Sequence, residues 1–100
     1  MSKVKFSRDE ARADLKDIDN YTYQTWGRAQ ADKYAEMIEK GCHLLVKHPT
    51  LGRPQDEFFP GLRKYPIGKH YIFYSAKGKE IKVIRILHQA MDISRHLTKK

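Results

Sequence analysis

Four side chains in the second half of the chain have the types and spacing that cleavage of an RNA backbone requires. Arg63, Lys82, Arg85 and His88 fall on short runs that are predicted to be adjacent strands. Metal-free RNA cleavage needs a base near the 2′-hydroxyl, an acid for the leaving oxygen and cations for the phosphorane charge. We expect Arg63 and His88 to converge at one end of the sheet. Alternating cations equally fit the solvated face of an antiparallel sheet, and composition by itself favours that simpler interpretation.

The net positive charge lies in the same half of the chain. The whole protein carries a formal net charge of +8. Residues 1–50 hold nine Lys/Arg against eight Asp/Glu, a net of +1, whereas residues 51–100 hold eleven against four, a net of +7. A basic half predicts an acidic partner, which is either nucleic acid or an acidic protein segment.

Metal and nucleotide sites are not indicated by the sequence. No two histidines form an i, i+4 pair on a predicted helix, and Cys42 has no C-x-x-C companion. Neither a G-x-G-x-x-G sequence nor a P-loop is present. We therefore expect no metal and no cofactor, and we expect Cys42 to be a small core residue. The histidines are His43, His48, His70, His88 and His96.

Length and composition indicate one small cytoplasmic domain. A chain of 100 residues, 40% of them hydrophobic, is predicted to form a single domain over residues 1–100 with one core. One cysteine excludes an internal disulfide and favours a reducing compartment. Residues 1–6 contain no apolar h-region, so we expect no secretory signal, and no apolar run approaches the ~20 residues of a membrane span.

The first half predicts a short strand and a helical hairpin. Val4–Phe6 is an edge-like strand, and Ser7-Arg8-Asp9-Glu10 matches a capping box at a helix start. The first helix is predicted over residues 8–26 with Gly27 as its C-cap, and the second follows Gly27 and ends near Lys47 or His48, before Pro49. We expect the aromatic side chains of both helices to pack in the core or within the hairpin. The apolar stripes are Ala11, Leu15, Ile18, Thr22 and Trp26, then Ala31, Tyr34, Ile38, Cys42 and Leu45; the other helical aromatics are Tyr21 and Tyr23.

The second half predicts a loop and three strands. After a loop from Thr50 to Gly61, strands are predicted over Leu62–Tyr65, Lys69–Ser75 and Glu80–His88. The last strand carries apolar residues on both faces and is predicted to be central, with Ile81, Val83 and Leu87 on one face and Ile84 and Ile86 on the other. The fold class is α+β in the order βααβββ, with the hairpin on one face of a mainly antiparallel sheet. The opposite face is expected to be partly open and rich in Arg, Lys, Tyr and His.

A set of short segments in fixed order resembles the ParE branch of the RelE/ParE superfamily of bacterial toxins. The matching segments are Ala13-Asp14-Leu15 with Ile18, Trp26-Gly27, Gln30-Ala31 with Tyr34, His48-Pro49, Gly52-Arg53, Asp56-Glu57, Pro60-Gly61-Leu62-Arg63, His70-Tyr71-Ile72-Phe73-Tyr74, and Ile84-Arg85-Ile86-Leu87-His88 with Met91-Asp92. The resemblance implies the same βααβββ fold. It also implies inhibition of DNA gyrase, with the enzyme stalled on cleaved DNA, and neutralisation by a ParD antitoxin. The acidic or apolar, disordered C-terminal segment of that antitoxin would fold onto the toxin, while its N-terminal domain binds operator DNA.

The RelE-type ribosome-dependent endoribonuclease is the alternative. Such nucleases resemble the chain up to the last strand, then carry a basic residue after the strand-end His and an aromatic hydroxyl shortly afterwards. Here Gln89 is uncharged, and Met91 and Asp92 supply neither a phenolic proton nor an aromatic ring. An Asp near the phosphate would also repel the substrate. Arg63 and His88 alone form an incomplete acid–base set, so we expect a toxin that acts by binding and is not an enzyme.

Two sets of contact residues follow from this interpretation. The structural alternative for Arg63 and Arg85 is pairing with Asp56, Glu57 or Asp92. Contact with DNA is expected only through the antitoxin or gyrase. The expected gyrase contacts are Arg63, Arg85, His88, Met91, Asp92, Arg95, His96 and Leu97; the expected antitoxin contacts are Arg53, Arg63, Lys82 and Arg85.

Overall fold

Two helices precede most of the sheet in a computed structural model that describes residues 3–6, 9–58, 60–78 and 80–91. The predicted order is confirmed, with one short strand added inside the predicted loop. The elements are β1 (Lys3–Phe6), α1 (Asp9–Trp26), α2 (Arg28–Lys47), β2 (Arg53–Pro54), β3 (Arg63–Ile67), β4 (His70–Lys77) and β5 (Glu80–His88). The predicted capping box includes Ser7 and Arg8, which lie outside the described residues.

The strands form one sheet in the order β1-β5-β4-β3-β2. β1 pairs parallel to β5, and the remaining neighbours pair antiparallel. β5 therefore lies inside the sheet, as its apolar residues on both faces predicted. Val4 lies on the edge strand, also as predicted.

The helical hairpin turns on a single residue. Gly27 has φ +95°, a conformation that L side chains rarely adopt, so the chain reverses between α1 and α2 without a longer loop. Ala31, Ile38, Cys42 and Leu45 are buried on one stripe of α2, as their spacing predicted. Among the described residues, no helix combines the length and apolar character needed to cross a membrane.

A β-bulge in β5 changes which side chains reach the core. Phe73 pairs with Arg85 while Tyr74 pairs with Val83, so Ile84 has no partner across the ladder. As a result Ile86 packs with Val83 in the helix-facing core, whereas Ile84 packs on the opposite face. The predicted grouping of Ile81, Val83 and Leu87 against Ile84 and Ile86 is wrong, because strict alternation assumes a ladder without an extra residue.

The face opposite the helices is partly covered by the loop before β3. Leu62, Phe73 and Leu87 are buried there, with Phe58 packed against them. The face was expected to be partly open and polar; the structure adds that this segment supplies a second, smaller apolar core there. Beside this cluster, the half-buried Lys64 places its Nζ 4.4 Å from the centre of the Tyr71 ring.

Candidate functional site

A groove of about 900 Å³ lies between the helical hairpin and the ends of β4 and β5. The first helix contributes Asp17, Ile18, Tyr21, Thr22 and Trp26 to its wall, and the second contributes Gln30 and Tyr34. The floor consists of Lys69, His70, His88, Ala90 and Met91. It is larger than a second cavity of about 410 Å³ between α2 and β3.

Two histidines and a tyrosine meet at the floor of this groove. His70 and His88 are directly opposite each other on β4 and β5, and their rings pack edge to face with centroids 5.2 Å apart. The Tyr34 hydroxyl lies 2.6 Å from Nδ1 of His70 and accepts a hydrogen bond of 2.9 Å from the Lys69 backbone N–H. The backbone N–H of Ala90 donates to Nδ1 of His88 at 3.0 Å.

Burial and neighbouring charges shift the pKa values of His70 and Tyr34. The pKa of His70 is lowered first by burial and then by the neighbouring His88, against an opposing contribution from Asp14. Burial raises the pKa of Tyr34, so its hydroxyl keeps its proton near neutral pH. At neutral pH the imidazole of His70 is therefore neutral, and the hydroxyl of Tyr34 is protonated.

Exposed apolar side chains line the mouth of the groove. Tyr21 and Trp26 are 68% and 69% exposed, and Met91 is 44% exposed. The prediction that the helical aromatics pack in the core or hairpin is wrong for Tyr21, Trp26 and also Tyr23, which is 45% exposed. An exposed cluster of large apolar groups beside a cavity is typical of a protein-binding site. Helical periodicity could not reveal it, since Trp26 continues the buried stripe of α1 beyond the point where the sheet covers it.

Arg85 does not lie on an open face. Its guanidinium binds Asp14 of α1 through Nε–Oδ2 at 2.7 Å and Nη2–Oδ1 at 2.9 Å. The two side chains are only 15% and 11% exposed. Our expected structural partners were Asp56, Glu57 and Asp92, so the partner actually found was missed. The side chain that we placed among the gyrase and antitoxin contacts is held between helix and sheet.

Arg63 is also occupied by the fold. Its Nη1 donates to the carbonyl oxygens of Gly52 at 2.6 Å and Thr50 at 3.2 Å. The Tyr74 hydroxyl secures the same turn by donating to the Pro49 carbonyl and accepting from the Gly52 N–H, both at 2.8 Å. Arg63 thus anchors the turn that follows α2, and pairing with a nearby carboxylate is not observed among the described residues.

The expected convergence of Arg63 and His88 is wrong. Arg63 pairs with Tyr74 and His88 pairs with His70, four residues away on β4. At ~3.3 Å per residue, these positions are ~13 Å apart along the sheet. One phosphate cannot contact both side chains in the way that an acid–base pair with a shared substrate requires.

The remaining predicted contacts are dispersed. Arg53 lies on β2 and Lys82 on β5, both exposed, and the three strand spacings between them amount to ~14 Å. His88 and Met91 line the groove. The other predicted gyrase contacts lie outside the described residues, and they are Asp92, Arg95, His96 and Leu97.

Cys42 is a core residue, as predicted. It is 4% exposed, and burial, reinforced by Glu39, raises the pKa of its thiol to about 11. Within the described residues no group of three or more His, Cys, Asp or Glu side chains is placed to hold a metal ion. The buried thiol is therefore neither a nucleophile nor part of a metal site in the described fold.

Fold and groove together define a small basic α+β domain, a helical hairpin on a sheet with an apolar-rimmed groove at one end. Comparison with known proteins identifies the family of this domain. The chain matches the family described as "ParE toxin of type II toxin-antitoxin system, parDE" over residues 4–93. It therefore belongs to the ParE toxin family.

Individual relatives agree with this assignment. The chain is 37% identical over 97 residues to Toxin ParE1 of Caulobacter vibrioides, covering 97% of this chain and 99% of that protein. It is 40% identical over 88 residues to Toxin ParE1 of Mycobacterium tuberculosis, covering 87% and 90%. A solved structure, the "Chromosomal ParDE TA system from P. aeruginosa", superposes with a TM-score of 0.72 at 29% identity, covering 88% of this chain and 96% of that chain.

Proposed function

We propose that this ParE-type toxin inhibits DNA gyrase by binding, stabilises the complex in which the enzyme has cleaved DNA, and is neutralised by a ParD-like antitoxin. Membership of the ParE family carries this proposal. The geometry supports binding rather than catalysis. Arg63 is held by two backbone carbonyls, and it lies ~13 Å along the sheet from the position of His88.

The residue after His88 supports the same conclusion. The Gln89 side-chain amide donates to the carbonyl oxygens of His70 at 3.1 Å and Gly68 at 3.4 Å. It therefore closes the end of the sheet instead of facing a substrate phosphate. A nuclease of the RelE type places a cation at this position, and an amide committed to two carbonyls cannot replace it.

The end of the groove near Met91 is the proposed meeting point of the two partners. His88 and Met91 remain candidate gyrase contacts, together with Asp92, Arg95, His96 and Leu97. The antitoxin segment is proposed to enter the groove between α1 and the sheet and to cover Trp26 and Met91. An antitoxin bound there would exclude gyrase by occupying the surface from which the C-terminal residues begin.

The antitoxin is proposed to be acidic and partly disordered before binding. A net charge of +7 over residues 51–100 favours an acidic partner, and the exposed cations Arg53 and Lys82 are available for charge pairing at the rim. Coupled folding of such a segment would bury Trp26 and Tyr21 and neutralise charge. A short reading frame for a DNA-binding protein next to the toxin gene is the genomic arrangement expected.

A gyrase supercoiling assay tests the main proposal. Purified toxin should reduce supercoiling and increase the yield of protein-linked cleaved DNA after detergent treatment. Removal of residues 92–100 should abolish this inhibition while antitoxin binding persists. Unchanged gyrase activity with the full chain would contradict the proposal.

A second assay addresses the endoribonuclease alternative. The toxin is incubated with translating ribosomes, and mRNA 3′ ends are mapped. No new ends are expected. If new ends appear and disappear again with His88→Ala, the protein cuts RNA and the binding mechanism is wrong.

A further inference from the structure

The lengths of the hydrogen bonds around His70 favour one position for the hydrogen of its neutral ring. The Tyr34 oxygen accepts from the Lys69 N–H, so its own hydrogen must point elsewhere. The available acceptors are His70 Nδ1 at 2.6 Å and the Ile67 carbonyl at 3.4 Å. The shorter contact places the Tyr34 hydrogen on the bond to His70. We therefore assign Nδ1 as the acceptor in the shorter contact, which puts the hydrogen of neutral His70 on Nε2.

The same logic applies to His88. Its Nδ1 accepts from the Ala90 backbone N–H, a group that can only donate, so neutral His88 also carries its hydrogen on Nε2. Among the described residues, neither Nε2 has a hydrogen-bond partner. Two N–H donors from adjacent strands thus lie in the floor of one groove.

These donors select the chemistry of a ligand. A metal ion would need the lone pair of each Nε2, which carries hydrogen as long as Nδ1 accepts. A guanidinium or ammonium group would meet donors instead of acceptors. A carboxylate can accept from both N–H groups, and Lys69 adds a positive charge at the same floor. Asp14, whose charge acts on His70, is already paired with Arg85.

We propose that the His70–His88 pair binds a carboxylate side chain of the antitoxin segment and that complex formation takes up a proton from solvent. This inference rests on the proposed function, because it identifies the chemistry of the segment that enters the groove. A carboxylate beside the imidazoles favours their charged form. The groups that face His70 are Tyr34 from α2, Lys69 from the preceding turn, His88 from β5, and Asp14 and Asp17 from α1.

His70 is the member of the pair that accepts the proton. If Nδ1 of His70 gains hydrogen, it donates to the Tyr34 oxygen, and the Tyr34 hydroxyl turns to the Ile67 carbonyl at 3.4 Å. If Nδ1 of His88 gains hydrogen, it faces the Ala90 N–H and the bond is lost. Only the first protonation retains a complete hydrogen-bond network. Because the Tyr34 hydroxyl can change its acceptor from His70 to Ile67, it allows His70 to take up a proton when the carboxylate binds.

Calorimetric titration of the full-length toxin with the antitoxin from the adjoining reading frame tests the inference. Titrations near pH 7 in phosphate and in Tris, which have different ionisation enthalpies, report the number of protons taken up. We expect uptake of up to one proton and an affinity that rises by up to about tenfold for each pH unit below neutrality. His70→Gln should abolish the uptake, and so should the matching Glu→Gln or Asp→Asn change in the antitoxin.

The antitoxin substitutions leave the toxin fold unchanged, so they keep the test decisive if His70→Gln fails to fold. Trp26→Ala separates the inference from the proposed function, and Tyr23→Ala is its matched control outside the groove. Weaker antitoxin binding by Trp26→Ala without proton uptake in the parent complex would overturn the carboxylate site and leave groove binding intact. If neither Trp26→Ala nor His70→Gln affects antitoxin binding, both the carboxylate site and antitoxin binding in the groove are overturned.

Discussion

Asp14 and Arg85 join the first helix to β5 at the β-bulge. The carboxylate accepts two hydrogen bonds from the guanidinium, and its Oδ2 also accepts from the Ile86 backbone N–H at 3.0 Å. A bulge disrupts the ladder and leaves backbone groups that need other partners. Asp14 thus accepts hydrogen bonds from both the buried Arg85 guanidinium and the backbone N–H of Ile86 at the bulge. These bonds explain why the bulge is tolerated in the core.

Removal of the Asp14 carboxylate is therefore predicted to destabilise the protein strongly. Asp14→Ala leaves a mostly buried guanidinium and a backbone N–H without acceptors, at a cost of about 3–5 kcal/mol. The midpoint and slope of urea unfolding measure the change. The double variant Asp14→Leu/Arg85→Leu should recover part of the loss, because it removes the unpaired charge along with its partner.

The exposed Arg28 provides the matched control for the ion pair. Arg28 forms ion pairs with two carboxylates, Asp19 and Asp32, but its side chain is 53% exposed. Arg28→Ala should leave the unfolding midpoint almost unchanged, since surface pairs contribute little. Equal losses from Asp14→Ala and Arg28→Ala would mean that burial does not set the strength of the Asp14–Arg85 pair.

Gly68 is predicted to be required by its contact with Tyr34. A Cβ at Gly68 would lie 2.5 Å from the Tyr34 hydroxyl oxygen, in a residue with φ +56°. Gly78 has a similar φ of +60°, but a Cβ there meets nothing within 4 Å. Gly78→Ala should cost about 1 kcal/mol from backbone strain alone, and Gly68→Ala should cost at least about 1 kcal/mol more. Similar unfolding free energies for the two variants would show that the contact is not tightly packed.

The sequence predicted the bounds of α2 and β5 well, although the bulge interrupts the alternation within β5. α2 was predicted to end near Lys47 or His48 and ends at Lys47, because Pro49 cannot continue a helix. β5 spans Glu80–His88, as its apolar run indicated. Family membership was also evident from the segments quoted, since they recur in order along the chain. The comparisons confirm that assignment.

The candidate site was less predictable, because it depends on contacts between residues far apart in the sequence. Asp14 and Arg85 are separated by 71 residues, and nothing local marks them as partners. The bulge reverses the facing of Ile86, and no residue pattern in β5 announces it. Trp26 belongs to a helical stripe that is buried at Ala11 but exposed at its end. The sequence pattern shows which face of a helix is apolar. How far the sheet extends along that face decides which of its residues are buried.

Cys42 is predicted to react only when the protein unfolds. The side chain is 4% exposed, and a thiol pKa of about 11 leaves about one molecule in a thousand as thiolate at pH 8. Iodoacetamide should modify the native protein far more slowly than the urea-unfolded chain, and addition of a bound partner should slow the reaction further by stabilising the fold. Mass spectrometry follows the single modification. A native rate close to that of the unfolded chain would mean that the core opens locally at α2.

Acidification is predicted to destabilise the free toxin through His70. Because burial and His88 lower the pKa of His70 in the folded protein, the unfolded chain binds this proton more readily. The contribution of His70 is therefore complete above the ordinary histidine pKa of about 6.5 and is lost progressively as the pH falls towards the lowered value. The free energy of unfolding, measured by urea titration from about pH 7 to about pH 5, should decline less steeply in His70→Gln than in the parent. Identical slopes in the parent and His70→Gln would mean that the imidazole at the groove floor titrates as it does in the unfolded chain.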